Sequence, residues 1–289
     1  MIMEQQRIMP AQVSGTASAR LAGKVALVTG GTQGLGADVA RELAAAGAER
    51  VFVVGRGKQA GEDVAASLGG PGVAIEADIT DDGALARCVQ IATGYAGRID
   101  ILVNCAAAYD DAGLASTREQ WLSTLNVNLI SAAILTQMVT PHMPRGGVVI
   151  NMGSIGGKFG AAGRAIYPAS KAALLQITKN FAVTLAPAGI RVLSVSPAWT
   201  WSPMLAQISQ GSIERADQVG AALHPLGRVG RGEEIGKAVV FAVSDEASWM
   251  TGTDLAVDGG FSCLGPDQGM SARRWFETAP DTGTRDLHE

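Results

Sequence analysis

The chain has 289 residues, of which 47% are hydrophobic and 17% charged, and its formal net charge is −4. Its 37 glycines lie among apolar runs without a short period, which excludes a collagen-like or disordered chain. The acidic balance leaves no basic stripe for phosphates, so nucleic acid is not expected as a partner.

The N-terminal residues 1–19 are polar and lack the apolar middle of a signal peptide. We interpret them as a flexible N-terminal arm of a cytoplasmic protein. No stretch approaches the roughly 20 uninterrupted apolar residues of a membrane-spanning helix, so no membrane association is expected. Cys88, Cys105 and Cys263 are far apart and show no CxxC spacing, so neither a disulfide framework nor a metal site is predicted.

Seven mostly apolar, β-branched runs recur along the chain. They cover residues 25–29, 51–54, 73–75, 99–103, 148–152, 190–195 and 255–257. Because these runs are near-continuous rather than alternating, they indicate strands buried on both faces of a parallel sheet. Helical segments separate them, and the first, 35–46, stops at Gly47. The pattern predicts an α/β fold: a Rossmann-type, doubly wound parallel sheet of seven strands with helices on both faces.

This predicted fold occupies a single domain, residues 20–261, which no linker or repeat interrupts. Residues 262–289 follow the last predicted strand without clear periodicity, and we interpret them as a C-terminal tail.

A glycine-rich turn joins the first predicted strand to the first helix. The turn reads TGGTQGLG over residues 29–36. Free N–H groups and the positive end of the helix dipole attract a pyrophosphate there, and glycine allows close backbone approach. The alternative is that these glycines are present only because the turn requires positive φ angles, without binding a ligand. The predicted cofactor contacts are Gly30, Thr32, Gln33, Gly34, Leu35 and Gly36.

Two further segments directly follow predicted strands at the same edge of the sheet. Parallel sheets bind their ligands at this edge, outside the carboxyl ends of the strands. One contains Asp78 and Ile79, and the other contains Asn104 and Ala106. We predict that these residues contact the cofactor, with Asp78 at its adenine. Asp78 could instead cap the next helix, and Asn104 could be a turn residue.

Tyr167 and Lys171 lie four residues apart in a predicted helix, so their side chains share a face. Lowering a phenol pKa by roughly 3 units, to near pH 7, takes about 4 kcal/mol, part of which an ammonium group can supply. Ser154 follows run 148–152, where its hydroxyl can bond a substrate oxygen. The YxxxK spacing alone is often structural. Asn128 is flanked by apolar residues in a helical stretch, and if its amide is buried it could simply bond backbone.

Together these residues resemble the short-chain dehydrogenase/reductases in their compact form of about 250 residues. The matching motifs are TGGTQGLG at 29–36, DIT at 78–80, NCAA at 104–107, NVN at 126–128, Ser154, YPASK at 167–171, SPAWTWSPM at 196–204 and the segment 225–260 that ends in VDGG. Two departures concern positions near the cofactor. Cys105 and Ala107 replace an Asn and a Gly of the family pattern, and Ala198 replaces the usual glycine after Pro197.

The resemblance implies an NAD(P)-dependent oxidoreductase that interconverts a secondary alcohol and a ketone or related carbonyl. Asn128, Ser154, Tyr167 and Lys171 match the family's catalytic tetrad: Ser154 holds the substrate oxygen, Tyr167 exchanges the proton, Lys171 lowers the Tyr167 pKa and binds nicotinamide ribose, and Asn128 anchors a relay water. The further cofactor contacts implied are Tyr167, Lys171, Pro197, Trp199 and Thr200.

Two other functions fit the same fold. One is a non-catalytic cofactor-binding scaffold, although the reacting side chains are all present. The other is a lyase or epimerase, which the compact length disfavours. The resemblance also implies a homo-oligomer, expected to be a tetramer, paired through helices within 117–139 and 167–185.

Cofactor choice depends on the end of the second predicted strand. An acidic residue there binds ribose hydroxyls, whereas an Arg accommodates a 2′-phosphate. Arg56 occupies this place, so we predict NADP(H), with NAD(H) as the alternative. Arg56 could also be a solvated charge or stack on adenine. The substrate pocket is predicted to be apolar, with candidates Phe159, Ile166, Trp199, Trp201, Met204 and Leu205.

Overall fold

A computed structural model of the chain describes residues 19–265 and 267–278. Most of the predicted N-terminal arm, residues 1–18, lies outside the described residues, as do residue 266 and residues 279–289 of the predicted tail.

Seven strands form one parallel sheet. They are β1 (Val25–Thr29), β2 (Arg50–Gly55), β3 (Gly72–Glu76), β4 (Ile101–Asn104), β5 (Val148–Met152), β6 (Arg191–Pro197) and β7 (Asp254–Val257). Their order across the sheet is β3-β2-β1-β4-β5-β6-β7. The order reverses between β1 and β4, which opens a crevice at the carboxyl ends of these two strands. The predicted doubly wound, seven-stranded sheet is therefore confirmed.

Helices cover both faces of the sheet. They are α1 (Gly34–Ala45), α2 (Lys58–Ser67), α3 (Asp82–Ala96), α4 (Arg118–Leu125), α5 (Ser131–Val139), α6 (Ile166–Leu185), α7 (Pro203–Ile208), α8 (Ile213–Gly220), α9 (Gly232–Val243) and α10 (Ala272–Thr278). Short 3-10 turns lie at Gly113–Ala115, Thr140–His142, Ile155–Gly157, Ala186–Ala188, Asp245–Ala247 and Phe261–Cys263.

Two apolar cores lie on opposite faces of the sheet because successive strand residues point to opposite sides. Val28 belongs to the core that also contains Leu43 of α1 and Val239 of α9. Its neighbour Leu27 belongs to the core that contains Leu85 of α3 and Ala182 of α6. Burial on both sides explains why the strands read as continuous apolar runs.

The predicted boundaries differ from the observed ones by no more than two residues at each end of the strands and of the first helix. Gly47, predicted to end that helix, has a φ of +90° and follows the C-cap residue Ala46. The segment interpreted as a tail begins with the turn Phe261–Cys263 and contains α10, whose residues are not buried.

Helices α4 and α5 join through a π-helical segment, Asn126–Ile130, into one long helix. Thr117 caps its start together with Gln120 in a capping box. The stretch Arg118–His142 is long and apolar enough to cross a membrane by length and composition, and 39% of its most apolar window is buried within the chain. The expectation that the chain has no membrane-spanning helix rested on the lack of long uninterrupted apolar runs. This helix is interrupted by the polar residues Asn126 and Asn128.

Candidate active site

The glycine-rich turn before α1 offers backbone rather than side chains. The N-cap residue Gln33 makes no side-chain cap bond, and the first turn of α1 contains no acidic residue. A Cβ at Gly36 would lie 2.2 Å from the Gly30 oxygen, and one at Gly30, where φ is +67°, would lie 2.7 Å from Cα of Ala106. Uncapped N–H groups in a turn this close to its neighbours fit the pyrophosphate of a dinucleotide.

Thr29 links this turn to the end of β4. Its hydroxyl oxygen accepts hydrogen bonds from the backbone N–H groups of Cys105 (3.1 Å) and Ala106 (3.3 Å). The carboxyl ends of β1 and β4 are therefore fastened together at the crevice. A small cavity brings together four of the predicted site residues, namely Ile79, Asn104, Ala106 and Asn128.

Asn104 directs its side chain into the protein. Its amide nitrogen donates to Oδ1 of Asn151 (2.9 Å) and to the Thr136 hydroxyl (3.2 Å), and the residue is 4% exposed. The Asn104 side chain thus joins β4, β5 and α5. If Asn104 contacts a cofactor at the sheet edge, it does so through its backbone atoms.

Asp78 is exposed at the sheet edge and does not cap the following helix. Its Oδ1 accepts from the N–H (2.9 Å) and the hydroxyl (2.8 Å) of Thr80, whereas Asp81 caps α3 through the N–H of Ala84. Hydrogen bonds from Thr80 lower the pKa of Asp78, and the charge of Arg56 adds a smaller lowering. Since Asp81 serves the helix, the second oxygen of Asp78 remains available to a ligand.

Arg56 lies directly after β2 and is exposed. Within the part of the chain that the structure describes, its guanidinium forms no salt bridge. Thr32 of the glycine-rich turn packs against Gly55, the residue before Arg56: a Cβ at Gly55 would lie 2.6 Å from the Thr32 hydroxyl oxygen. Arg56 thus places a positive charge near the turn and near Asp78, whose pKa it lowers.

Ser154 and Tyr167 lie together across the end of β5. Ser154 caps the turn Ile155–Gly157 by accepting from the N–H of Gly156 at 3.0 Å. A Cβ at Gly156 would lie 3.4 Å from the Ser154 hydroxyl and 3.5 Å from the Tyr167 ring, so glycine keeps these groups close. Burial raises the pKa of Tyr167, while hydrogen bonds from Ser154 and Tyr109 oppose that rise.

Lys171 is 2% exposed on the same face of α6 as Tyr167. Its ammonium nitrogen donates to the backbone oxygen of Met152 at 2.8 Å and lies 5.7 Å from the centroid of the Tyr167 ring. Burial lowers the pKa of Lys171 to about 8, and burial raises the pKa of the nearby Cys105 thiol to about 11. A buried cation beside a phenol favours the ionised form of that phenol.

Asn128 is 1% exposed and lies in the π-helical segment. Its side-chain oxygen accepts from the N–H of Ala108 (2.7 Å), and its amide nitrogen donates to the Ala108 oxygen (3.0 Å) and to the Ser170 hydroxyl (3.0 Å). The buried bond to backbone considered as an alternative is present. These contacts tie the long helix to the loop after β4 and to α6.

Sequence reasoning missed two residues in that loop. The ring of Tyr109 stacks on the ring of Tyr167, with centroids 4.9 Å apart and an interplanar angle of 23°. Asp111 accepts from the N–H groups of Ala165 and Tyr167, both at 2.9 Å. No spacing pattern relates these residues, because the contacts form between a loop and a helix start more than 50 positions later.

The loop after β6 reaches the glycine-rich turn. Thr200 pairs with Gly230, and the Pro203 ring would lie 3.2 Å from a Cβ at Gly34. Trp199 is 40% exposed. Pro197, the last residue of β6, places Trp199 and Thr200 at the same sheet edge as the other predicted contacts.

An aromatic row connects the Ser154 turn with the loop after β6. Ring centroids are 5.9 Å apart between Phe159 and Phe261, 5.7 Å between Phe261 and His224, and 6.3 Å between His224 and Trp199. His224 and Phe261 were not among the predicted pocket residues. Ile166, which was, is fully buried and packs in the protein interior.

No group of three or more His, Cys, Asp or Glu side chains suited to a metal occurs among residues 19–265 and 267–278.

A dinucleotide turn and a Ser-Tyr-Lys group at one sheet edge define an NAD(P)-dependent oxidoreductase. A family model described as "Enoyl-(Acyl carrier protein) reductase" matches residues 30–262. The chain belongs to the short-chain dehydrogenase/reductase family, as its relatives also show.

Three of these relatives illustrate the range. The 3-oxoacyl-[acyl-carrier-protein] reductase FabG of Thermotoga maritima is 36% identical over 83% of this chain and 98% of its own. The cis-4-hydroxycyclohexanecarboxylate dehydrogenase of Sinomonas cyclohexanicum is 35% identical over 83% and 97%. A solved structure of a mutant Serratia marcescens short-chain dehydrogenase/reductase has 35% identity, a TM-score of 0.77, and coverage of 84% and 99%.

Proposed function

We propose that this enzyme interconverts a secondary alcohol and a ketone, with Tyr167 as the proton-transfer group. One observation carries the proposal: Ser154 and Tyr167 lie together beside the buried ammonium of Lys171, since a Cβ at Gly156 would be 3.4 Å from the Ser154 hydroxyl and 3.5 Å from the Tyr167 ring. A substrate oxygen placed between the two hydroxyls is held by both. A scaffold without chemistry would have no need to bury a lysine there.

Each side chain has a distinct role in this reaction. Tyr167 receives the alcohol proton during oxidation and returns it during reduction, and Ser154 holds the substrate oxygen. Lys171 stabilises the phenolate by its charge. Asn128 fixes the loop after β4 and anchors a water through which Tyr167 exchanges protons with solvent.

When bound, the nicotinamide dinucleotide accepts or supplies the hydride. The glycine-rich turn binds its pyrophosphate, Asp78 and Ile79 contact the adenine, and Lys171 binds the nicotinamide ribose. The remaining proposed contacts are Gly30, Thr32, Gln33, Gly34, Leu35, Gly36, Arg56, Asn104, Ala106, Tyr167, Pro197, Trp199 and Thr200. The close approach at Gly30 and Gly36 supports this fit.

NADP(H) is the proposed cofactor and NAD(H) the alternative. Arg56 is exposed directly after Gly55 and forms no salt bridge within the described residues, so its guanidinium is available to a 2′-phosphate. A carboxylate at this position would repel that phosphate, and none follows β2.

The aromatic row favours a substrate with an apolar body. Phe159 and Trp199 are 41% and 40% exposed at the two loops that flank the reacting residues. Such surfaces bind rings or acyl chains better than polyols. A 3-oxoacyl thioester and a cyclic alcohol, both suggested by the names of the relatives, are the first compounds to assay.

We also propose a homotetramer. Leu122 and Val183 are 63% and 77% exposed on α4 and α6, two helices that contact each other. Apolar side chains so exposed on adjacent helices are suited to pairing with a second copy. A solution mass of a monomer at micromolar concentration would contradict the proposal.

Tyr167→Phe tests the proton route, because it keeps the ring and removes the hydroxyl. We expect kcat to fall at least about 1,000-fold with little change in NADP(H) affinity. Tyr95→Phe is the matched control, since Tyr95 packs on Phe52 at a distance from the site. Wild-type turnover by Tyr167→Phe on a confirmed substrate would refute the route.

A further inference from the structure

Tyr109 contacts the reacting phenol directly. We propose that the Tyr109 hydroxyl is a second hydrogen-bond donor to the Tyr167 oxygen, and that Asp111 is the positioning residue that maintains this contact. The inference rests on the proposed role of Tyr167 in proton transfer, and it adds a residue that the Ser-Tyr-Lys-Asn set lacks.

The geometry of the two rings supports a lasting contact. They stack at 4.9 Å with an interplanar angle of 23°, which places the two phenols side by side, and the interaction with Tyr109 lowers the pKa of Tyr167. Tyr167 must accept a proton during oxidation, so in this contact Tyr109 is the donor. The rise in the pKa of Tyr109, caused mainly by burial and added to by Tyr167, agrees with a phenol that keeps its proton. Tyr109 is 53% exposed, so this residue lies at the open side of the site.

The loop that carries Tyr109 is fastened on both sides of this residue. On one side, Asn128 bonds both the N–H and the oxygen of Ala108. On the other, Gln120 donates to the Asp110 carboxylate at 2.8 Å, and Thr124 donates to the Asp110 backbone oxygen at 3.0 Å. Tyr109 therefore has little freedom to leave Tyr167 by movement of its backbone.

Asp111 joins the same loop to the start of α6. Its carboxylate accepts from the N–H of Gly113 in its own loop and from the N–H groups of Ala165 and Tyr167. The N–H groups of Ala165 and Tyr167 belong to a helix end that has no cap of its own, since Ala165 makes no side-chain cap bond. One carboxylate thus fixes the Tyr167 backbone relative to the Tyr109 loop.

The chemistry follows from proton balance. During oxidation the proton of the alcohol O–H passes to the Tyr167 oxygen, and Tyr109 keeps its own proton throughout. A donor to a phenolate makes a stronger bond than a donor to a neutral phenol, so the bond favours the proton-accepting form. It supplements the charge of Lys171 and offsets the burial that raises the Tyr167 pKa.

Other groups also influence the Tyr167 phenol. Lys171 approaches from its own helix, and Arg164, just before α6, lowers the pKa of Tyr167, whereas Cys105 after β4 raises it. None of these groups changes when the Tyr109 hydroxyl is removed. A shift in the pH profile after that removal therefore reports the Tyr109 bond.

The experiment is the pH dependence of kcat/KM for alcohol oxidation by Tyr109→Phe. We expect the rising limb to move upward by about one to two pH units, with the plateau rate and NADP(H) affinity largely kept. Tyr95→Phe serves as the control, and its profile should match the wild type. An unmoved limb, or a downward shift, would overturn the proposal.

Asp111→Asn tests the positioning role. We expect the limb to move in the same direction as in Tyr109→Phe, and no further, with the plateau rate largely kept, because the two residues act on one oxygen. The double variant should shift the limb no further than Tyr109→Phe alone. Additive shifts would show that Asp111 acts independently of Tyr109 and would overturn its positioning role.

Activity in Tyr167→Phe would instead refute the proposed function, so failure of the proposed function can be distinguished from failure of the Tyr109 proposal.

Discussion

The glycine-rich turn and the proton-transfer site lie at the same sheet edge but are built in opposite ways. At Gly30 and Gly36 the turn depends on missing side-chain atoms, because any Cβ would meet backbone at 2.7 or 2.2 Å. At Tyr167 and Lys171 the site depends on polar side chains held at 9% and 2% exposure. One region uses backbone donors, and the other uses buried ionisable groups.

This difference teaches where the structure sacrifices stability for function. The glycines increase the conformational entropy lost on folding, yet their close contacts make them indispensable to the native backbone. Lys171 is buried with only a carbonyl oxygen as hydrogen-bond partner, so its charge is a cost to the folded state. Substitutions of the turn glycines should therefore destabilise the protein, whereas removal of the Lys171 charge should stabilise it.

The largest effect is expected at Gly36. Gly36→Ala places a methyl group 2.2 Å from the Gly30 oxygen, so backbone must shift. We expect the free energy of unfolding to fall by about 3 kcal/mol, and kcat/KM to fall about 100-fold or more as the phosphate donors move. Urea unfolding and steady-state kinetics measure the two effects.

Gly94→Ala is the matched control for this prediction. Gly94 lies in α3, and nothing occupies the space within 4 Å of its Cβ position. Alanine there should stabilise the protein by about 0.5–1 kcal/mol through helix propensity and leave kinetics unchanged. Equal tolerance at Gly36 would mean that the turn does not require close backbone approach.

Lys171→Met should have the opposite sign in stability. It removes a buried charge while keeping an unbranched side chain, so we expect a gain of about 1–3 kcal/mol in the free energy of unfolding at pH 7. Activity should fall by at least about 100-fold, because Tyr167 loses its cation. Lys179→Met, at an exposed position of α6, should change neither property.

The pH dependence of this gain has a definite sign. The folded-state pKa of Lys171 is about 8, below the ordinary value of 10.5, so the unfolded chain binds more protons between these pH values. The destabilisation caused by Lys171 in the wild type therefore decreases as the pH rises from about 8 to 10.5. The advantage of Lys171→Met should be full below about pH 8 and shrink above it. A gain that grows with pH would contradict the burial argument.

The two regions also differ in how far the sequence predicted them. The turn at 29–36 and the seven strands follow from local pattern, because glycine spacing and apolar runs are determined over a few neighbouring residues. The shared face of Tyr167 and Lys171 follows from helical periodicity. Chain-local rules thus predicted the fold class and the elements that present the reacting groups.

Contacts between loops and helices lay beyond these rules. Asp111 bonds the start of α6, and Tyr109 stacks on Tyr167, through a loop whose conformation depends on Asn128. The sequence marks none of these pairings, because each joins residues far apart in the chain without a repeated spacing. Ile166 was misplaced for the related reason that an apolar residue fits a pocket and a core equally well.

The smallest expected effect concerns Arg56, a cation that would make the choice of cofactor depend on a side chain. Arg56 is exposed directly after β2, and it forms no salt bridge with a carboxylate within the described residues. A guanidinium that bonds a 2′-phosphate contributes about 1.5–3 kcal/mol, so Arg56→Ala should weaken NADP(H) binding about tenfold or more. NAD(H) lacks that phosphate, and its affinity should stay within about twofold.

The control is Arg87→Ala, which removes an exposed arginine of α3. The measurement is kcat/KM for both cofactors in all three proteins. If the wild type prefers NAD(H), or if Arg56→Ala leaves the cofactor ratio unchanged, then Arg56 does not bind the phosphate and the turn binds the dinucleotide through backbone donors alone.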